Sequence, residues 1–255
     1  MQVDALKTFF QLISYLLTGK PMDFGDAASL QMGAPASADG KVEKVDYGDF
    51  KKGDSRAVDP EVIYAPITRN LSRVRKRNIK YIAIHYTAGH SSATGAAMSV
   101  RNLFQGGGRR ASADFSVDDG EMVQINPDPL KNVCWAVGDP KDKSGGGATL
   151  GNAGNMNSIS IEVCSNLKKG ANSHATNHTG WYFTQSTLNN AATLTRILMK
   201  KYNIPVSNVV RHYDISGKRC PGLVGWNNGS LKNEDGSKTG KKNNSNQWLA
   251  FKNSL

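Results

Sequence analysis

The sequence predicts an α/β protein in which helices flank a central mixed β-sheet. Three observations support this prediction: short apolar runs that end in turn residues, amphipathic segments with helical spacing, and the alternation of the two along the chain. Their order is strand, helix, two strands, strand, helix, strand. We therefore expect one domain of this class over residues 66–255, preceded by an N-terminal helix and linker arm over residues 1–65.

The composition is that of a globular protein with a basic surface. Of the 255 residues, 38% are hydrophobic and 21% are charged, which suffices for a buried core. Lys and Arg number 32 against 21 Asp and Glu, and the net charge of +11 favours polyanionic partners such as nucleic acid, anionic lipid or an acidic cell wall. Because no apolar stretch reaches about 18 residues, we expect no transmembrane helix.

The N-terminal segment "MQVDALKTFFQLISYLLTGK" has the spacing of one apolar helical face. The residues on this face are Leu6, Phe9, Phe10, Ile13, Leu16 and Leu17. Asp4 offsets Lys7 ahead of the apolar run and no clear cleavage site follows, so we do not expect a signal peptide. A helix that packs on the main domain is the simpler interpretation, and a membrane-surface or partner-binding helix is the alternative. Residues 22–66 lack periodicity and are typical of a linker.

The first half of the main domain begins with "YIAIHYTAG", residues 81–89, an apolar strand that ends near His85. The segment "SSATGAAMSVRNLF" then predicts a helix capped by Ser91 or Ser92. Its inward-facing residues are Ala97, Val100, Leu103 and Phe104. The segment "ASADFSVDDGEMVQI" predicts two strands joined by an Asp-Asp-Gly turn.

The second half predicts a strand at "SISIEVC", a long helix and a final strand. The helix spans "TQSTLNNAATLTRILMKKYNI", is capped by Thr184 or Ser186, and buries Leu188, Ala191, Leu194 and Leu198. The strand in "VSNVVRHYD" follows directly and delivers His212 at its end. Near the C-terminus, a helix is expected to pack on the domain through an apolar stripe of Trp248, Leu249, Phe251 and Leu255.

Glu162 stands out because it interrupts the apolar "SISIEVC" strand. It shares one face with Ser160 and Cys164, opposite the isoleucines and valine. A carboxylate on a short apolar strand is costly to bury unless it is paired or used. Two interpretations stay open at this point, a solvated face or a functional carboxylate.

Two histidines and a cysteine suggest a metal site. His85 and His212 each close an apolar strand, and Cys220 follows His212 by eight positions in "VVRHYDISGKRCPG". A single histidine at such a place is more often structural, but two histidines with a cysteine provide the nitrogen and sulfur ligands that zinc prefers. A catalytic zinc site uses three protein ligands, and Lys218 stands close enough in sequence to offset the charge of a thiolate.

Five stretches together resemble a known family: "YIAIHYTAG", "ADFSVDDGEMVQ", "CWAVGD", "SISIEVCSN" and "VVRHYDISGKRCPG". In this order, over residues 78–225, they are similar to the zinc-dependent N-acetylmuramoyl-L-alanine amidases of the amidase-2 family, which includes amidase-type phage lysozymes and shares its fold with peptidoglycan recognition proteins. The resemblance implies one Zn²⁺ per chain, held by His85, His212 and Cys220.

The resemblance also implies two catalytic residues. Lys218 occupies the position of the lysine that stabilises a developing oxyanion, and Glu162 the position of the carboxylate that orients or deprotonates water. Some phage relatives use a tyrosine on another strand instead, where this chain has Ala113. Asp114 and Ala136 stand where many relatives have histidine, so we expect the wall of the cleft to differ. The substrate-binding residues are left unassigned.

The function implied is hydrolysis of the amide bond between N-acetylmuramic acid and L-alanine of peptidoglycan, by a phage or prophage endolysin or a bacterial autolysin. We expect a monomer that is made in the cytoplasm, acts on the cell wall after release, and is attracted to anionic wall polymers by its charge. Two alternatives remain: a non-catalytic peptidoglycan-binding module and a cytoplasmic amidase that recycles anhydro-muropeptides. Cys220 argues against the first, because recognition-only relatives typically lack the third ligand.

The remaining polar clusters have simpler interpretations. The segment "RNLSRVRKRNIK", residues 69–80, carries six basic residues, but no aromatic platform accompanies it. We therefore interpret it as a solvated face and do not expect nucleic-acid binding. Cys134 and Cys164 are predicted core residues, with a disulfide between them as the lesser alternative. The histidines expected on surface loops are His90, His174 and His178.

Overall fold

A six-stranded mixed sheet forms the centre of the part of the chain that the structure describes. The computed structural model describes residues 50–89, 91–106, 108, 110–138, 150, 152–171, 180–232 and 238–255. The helix predicted over residues 6–17 and the three histidines predicted on surface loops lie outside these residues. Within them, no helix has the length and apolar character needed to cross a membrane.

Twelve strands and four α-helices make up the described residues. In chain order the strands are β1 (Ile63–Tyr64), β2 (Leu71–Arg73), β3 (Tyr81–Tyr86), β4 (Phe115–Val117), β5 (Met122–Gln124), β6 (Asn132–Cys134), β7 (Ser158–Val163), β8 (Asn166–Leu167), β9 (Trp181–Tyr182), β10 (Val209–Arg211), β11 (Gly229–Lys232) and β12 (Lys238–Asn243). The helices are α1 (Ala96–Gln105), α2 (Gln185–Tyr202), α3 (His212–Ser216) and α4 (Asn246–Asn253), with a 3₁₀ turn at Val206–Asn208.

The central sheet has the strand order β1, β5, β4, β7, β3, β10. Strands β4 and β5 form the predicted antiparallel hairpin, and every other neighbouring pair in this sheet is parallel. Strand β1 pairs with β5, so the sheet includes residues 63–64, which the sequence analysis had assigned to the arm. The mixed sheet predicted from the alternation of elements is confirmed.

Helices cover both faces of the sheet, which explains why its central strands are apolar along their length. Every residue of β3 is buried. On one face, Ile82, Ile84, Ile159 and Ile161 pack against Leu194 and Leu198 of α2. On the other face, α1 contributes Ala97, Met98 and Phe104, and α3 contributes Ile215. The sheet is therefore the middle layer of three, as the sequence predicts.

Helix α2 begins at the predicted cap, whereas α1 does not. The side chain of Thr184 accepts a hydrogen bond from the backbone N–H of Thr187 at 3.1 Å. Helix α1 starts after Gly95, and neither Ser91 nor Ser92 caps it. The carboxylate of Asp118, in the β4–β5 turn, accepts from the first turn of α1 instead, so the cap comes from a residue distant in sequence.

The basic residues of the segment 69–80 are exposed except for Arg77, whose side chain is fully buried. Its guanidinium donates to Asp114 at 3.2 Å. It also donates to the backbone carbonyls of Pro129, Asn132, Asn155, Met156 and Ser158. Asp114 is only 1% exposed, so this ion pair is fully buried. The pair joins the loops around β6 to the start of β7.

The C-terminal helix packs on the domain as predicted. Trp248 and Phe251 are buried and Leu255 packs against the core, but Leu249 is 55% exposed and does not belong to the apolar stripe. Rings of Trp226, Trp248 and Phe251 lie within 5.9 Å of one another, centroid to centroid. These aromatic contacts join α4 to Trp226, which follows the ligand-bearing segment described below.

Candidate metal centre

Three parallel strands bring the predicted site residues to one edge of the sheet. His85 is the penultimate residue of β3, and His212 directly follows β10, the parallel neighbour of β3. Glu162 lies in β7 on the other side of β3 and is the register partner of His85. Because the carboxyl ends of parallel strands meet at the same edge, these three residues are assembled by strand order alone.

Cys220 reaches the same place through a tight loop. Helix α3 ends at Gly217, whose φ of 78° lies in the left-handed region that favours glycine. The chain then turns back, and the backbone N–H of Tyr213 donates to the carbonyl of Cys220 at 3.0 Å. This short return places the thiol beside the two histidines although it lies in no regular element.

The ligand atoms of His85, His212 and Cys220 converge. The Nδ1 atoms of the two histidines are 3.1 Å apart, and the Cys220 Sγ atom is 3.7 Å from His85 Nδ1. All the ligand atoms of this group lie within 4.8 Å of one another, and all three residues are buried. Among the residues that the structure describes, this group could hold a metal ion.

The donor set fits zinc. With Zn–N near 2.1 Å and Zn–S near 2.3 Å, two ligand atoms of a tetrahedral site are separated by about 3.3–3.6 Å. The separations of 3.1 Å and 3.7 Å bracket this range. Two imidazole nitrogens and one thiol sulfur are also the ligand types that zinc takes, and three protein ligands leave one position open.

Burial keeps the two imidazoles neutral. It lowers the pKa of His85 to about 3, and the positive charge of Lys218 lowers it further. The pKa of His212 is likewise well below its usual value, chiefly through burial, with contributions from His85 and Lys218. A neutral imidazole retains the lone pair that a metal ligand needs. The histidines are therefore in the form that binds a cation.

Burial has the opposite effect on the thiol. It raises the pKa of Cys220 to about 12, against the lowering effects of Lys218 and of a hydrogen bond from the backbone of Tyr86. A divalent cation at the site would reverse this balance, because a coordinating thiol is deprotonated outright. The buried cysteine thus has the properties of a ligand more than those of a nucleophile.

Glu162 lies on a largely buried face of β7. Its neighbours on that face, Ser160 and Cys164, are each 1% exposed, whereas Glu162 itself is partly exposed. The interpretation of this face as merely solvated is therefore wrong. Residues in register on adjacent strands project to the same side and their backbones lie about 4.8 Å apart, so Glu162 is a direct neighbour of His85.

Lys218 lies in the return loop between α3 and Cys220. It is exposed, and its backbone N–H donates to the Ser216 side chain at 3.3 Å. Its positive charge contributes to lowering the pKa of His85, His212 and Cys220. A cation at the open side of a buried ligand set can stabilise negative charge that develops there.

Arg211, beside the site, was not predicted from the sequence. The Arg211 guanidinium forms two hydrogen bonds to the Asp214 carboxylate, at 2.9 Å and 2.6 Å, and Arg211 directly precedes His212. In the sequence, this pair is indicated by an arginine three residues before an aspartate at a strand-to-helix junction. That separation is the spacing of a capping box.

All three cysteines are buried and free, so the disulfide considered between Cys134 and Cys164 is absent. Burial raises the pKa of both thiols well above its usual value. Cys134 and Cys164 are therefore core residues as predicted, distinct from the cysteine at the metal centre.

The fold and the site together define an α/β protein with a group of two histidines and a cysteine, able to hold a metal ion, at the carboxyl edge of a mixed sheet. The chain belongs to the Amidase_2 family, described as N-acetylmuramoyl-L-alanine amidase, whose sequence profile matches residues 75–223. The matched range includes the five predicted site residues, His85, Glu162, His212, Lys218 and Cys220.

Two curated relatives carry the same description in their names. The chain is 33% identical over 149 residues to the N-acetylmuramoyl-L-alanine amidase CwlH of Bacillus subtilis, covering 58% of this chain and 50% of that protein. It is 35% identical over 141 residues to the N-acetylmuramoyl-L-alanine amidase XlyA of the same organism, covering 55% and 39%. The solved structure of PlyL is 28% identical with a TM-score of 0.46, covering 63% of this chain and 86% of that one. The matched region thus covers half or less of the length of CwlH and XlyA.

Proposed function

We propose that this protein hydrolyses the amide bond between N-acetylmuramic acid and L-alanine in peptidoglycan. The observation that carries the proposal is the convergence of His85, His212 and Cys220 beside Glu162, in a chain of the amidase family. The names of CwlH and XlyA, both N-acetylmuramoyl-L-alanine amidases, support the same substrate bond.

His85, His212 and Cys220 are the residues that would hold one Zn²⁺ per chain. When bound, zinc supplies a Lewis acid that polarises a carbonyl and lowers the pKa of water toward about 7. The three residues contribute two neutral nitrogens and one sulfur, and their burial excludes bulk water from the ligand atoms. Their positions on β3, at the start of α3 and in the return loop leave little for the ion to reorganise.

Glu162 is the proposed proton carrier. As water attacks the carbonyl carbon of the lactyl amide, the carboxylate accepts a proton, a C–O bond forms and the carbonyl oxygen gains negative charge. The same group then donates the proton to the L-alanine nitrogen as the C–N bond breaks. The products are a lactyl carboxylate and a free α-amino group, so the proton and electron pairs balance.

Lys218 is the proposed oxyanion partner. Its ammonium group is exposed and close enough to both histidines to lower the pKa of each. A cation fixed at the opening of the site stabilises the oxygen as charge develops, and one such donor is commonly worth about 3 kcal/mol in the transition state.

The charge of +11 favours intact wall as the substrate over a small anhydro-muropeptide, because long-range attraction to an anionic polymer benefits a basic protein. The sequence-based expectations of a monomer, of action on the wall after release, and of an endolysin or autolysin role belong to the same proposal. A non-catalytic recognition module remains the alternative if the wall is bound and not cut.

Mass spectrometry of digested peptidoglycan tests the proposal. Purified protein should release stem peptides with a free L-alanine amino group from intact wall, faster than from anhydro-muropeptide. Cys220→Ala should lose both the activity and the bound zinc, while Cys164→Ala, at a buried cysteine outside the site, should keep both. Purified protein that holds no stoichiometric zinc, with Cys220→Ala digesting wall as well as wild type, would refute the metal mechanism. Binding to wall without cleavage would indicate the recognition module.

A further inference from the structure

The last 32 residues of the chain, 224–255, lie beyond the family match at 75–223. We call them the C-terminal brace. They contain the β11–β12 hairpin and α4. The brace meets the ligand-bearing segment, residues 209–222, at two places, one next to each of the ligands that this segment carries.

The first contact is made by Arg211, the residue before His212. Its Nη1 atom donates to the Trp226 carbonyl at 2.5 Å and to the Ser245 hydroxyl at 3.1 Å, both in the brace. The guanidinium carbon also lies 5.4 Å from the centre of the Trp248 ring, within the range of a cation–π contact. Arg211 is 6% exposed, so these contacts are shielded from water.

Arg211 also forms an ion pair with Asp214, and this pair links the brace to the backbone around His212. The guanidinium holds Asp214 by two hydrogen bonds, and the same carboxylate accepts from the backbone N–H of Arg211 at 2.9 Å. Arg211 and Asp214 lie before and after His212 in the chain, at the N-cap and in the first turn of α3. The backbone position of this ligand is therefore fixed by a side chain that is itself held by the brace.

The second contact is made by Asn227, which is 2% exposed. Its side-chain amide donates to the carbonyl of Pro221, the residue after Cys220. Beside it, the Trp248 backbone N–H donates to the carbonyl of Gly225 at 3.0 Å and joins α4 to the same stretch of chain. The brace thus contacts the neighbour of each ligand that the 209–222 segment provides.

We propose that the C-terminal brace positions His212 and Cys220 for metal binding, with Arg211 and Asn227 as its positioning residues. The inference rests on the proposed function, because it concerns the same metal centre. Metal ligands are oriented by the groups that hydrogen-bond around them, and disrupting such groups typically lowers metal affinity by about 10- to 100-fold. The histidine of β3, His85, has its hydrogen-bond partners in His212 and Cys220, so among the described residues the brace contacts the neighbours of two of the three ligands.

Zinc affinity, measured by competition with a chromophoric chelator, tests the brace. Arg211→Gln should lower the affinity by about 10- to 100-fold. Arg211→Lys, which keeps one charged donor, should recover part of the loss. Asn227→Ala removes its hydrogen bond to Pro221, and Ser245→Ala removes the one from Arg211 together with one to Asn228. We expect each variant to lower the affinity by about 3- to 10-fold. Co²⁺ bound to the Arg211 and Asn227 variants should show an altered ligand-field spectrum, which a change in stability alone would not produce.

Arg196→Gln is the matched control. Arg196 donates to the Ser254 carbonyl at the far end of α4, at 2.8 Å, and that contact lies outside the 209–222 segment. This variant should weaken α4 and leave zinc affinity and the Co²⁺ spectrum unchanged.

Three outcomes separate the two proposals. If wild type binds no zinc, the proposed function fails. If wild type binds zinc and cuts wall, but the Ser245 and Asn227 variants keep wild-type affinity and spectrum, the brace proposal alone is overturned. Equal losses in Arg196→Gln would also overturn it. Should Arg211→Gln not fold, the Ser245 and Asn227 variants decide the question.

Discussion

Glu162 is the register partner of His85 across the parallel pair β7–β3. Glu162 is the proposed proton carrier and His85 a proposed metal ligand. One pair of hydrogen-bonded strands sets the spacing between them. Register fixes such neighbours more firmly than a loop would, because a shift by one residue would turn each side chain to the opposite face of the sheet.

Glu162→Gln tests the role of the carboxylate. We expect kcat to fall by about 10²- to 10⁴-fold, because the amide keeps the shape of the side chain but cannot carry the proton. Zinc content should be unchanged, since Glu162 is not in the ligand group. Glu61→Gln, at an exposed carboxylate paired with Lys52, serves as the control and should keep wild-type kcat. Full activity in Glu162→Gln would contradict the assignment.

Lys218→Met tests the oxyanion partner. Removing the charge should lower kcat by about 10²- to 10³-fold with a smaller effect on KM, because the interaction strengthens as charge develops on the oxygen. Lys200→Met, at an exposed lysine in the last turn of α2, is the matched control and should behave as wild type. Steady-state kinetics on a soluble muropeptide measures both constants, and equal effects of the two substitutions would argue against a local role for Lys218.

Cys220→Asp tests whether the sulfur is needed as a ligand or for its charge. Carboxylate oxygen binds zinc at about the same distance as imidazole nitrogen. We therefore expect Cys220→Asp to keep stoichiometric zinc and part of the activity, whereas Cys220→Ala loses both. Metal analysis by mass spectrometry after dialysis measures the occupancy. Equal loss in both variants would indicate that the site requires thiolate.

Arg77→Leu tests the buried ion pair with Asp114. The substitution leaves a carboxylate uncompensated at 1% exposure and several carbonyls without a donor, so we expect a loss of about 3–5 kcal/mol in the free energy of unfolding. Urea denaturation measures this change. Arg73→Ala lies in the same basic segment but is exposed, and it should change the stability by no more than about 0.5 kcal/mol. Similar values for both would show that the pair contributes little.

Asp118→Asn tests the cap of α1 through its pH dependence. Burial raises the pKa of Asp118 to about 6 despite hydrogen bonds from the backbone of Ala97, Gly120 and Glu121. Because the folded pKa lies above the unfolded value of 3.8, the folded state binds more protons between these values, and this contribution to stability falls as pH rises from about 4 to 6.

In Asp118→Asn the carboxyl group is replaced by an amide that does not titrate in this range. The stability of wild type relative to Asp118→Asn should therefore increase when the pH is lowered from 7 to about 4.5, as measured by urea denaturation at each pH. A constant difference over this range would mean that Asp118 titrates near its ordinary value.

Most of the sheet was predictable because its strands carry a local signal. The apolar runs around His85 and Glu162 are long and bounded by turn residues, and the Asp-Asp-Gly turn identified the hairpin. The cap of α2 at Thr184 was predictable for the same reason, since donor and acceptor lie three residues apart. The cap of α1 was not, because Asp118 is more than twenty residues away from the helix end it serves.

Charge and burial could not be predicted residue by residue. Arg77 is one of six basic residues in a segment with the composition of a solvated face. It is buried only because distant loops fold around it and accept its hydrogen bonds. Leu249 shows the reverse case, an apolar residue in a helical stripe that the fold leaves exposed. In both cases the deciding contacts come from distant parts of the chain.

The sequence by itself determined the fold class and the identity of the candidate ligands, because residue types and strand ends are local properties. Only the tertiary structure decided that the ligands meet: strand order places β10 and β7 on either side of β3, and a left-handed glycine returns Cys220 to the same edge. The hydrogen bonds of Arg211 and Asn227 to the C-terminal residues were likewise invisible to local patterns, since they join segments that become neighbours only when the sheet and α4 pack together.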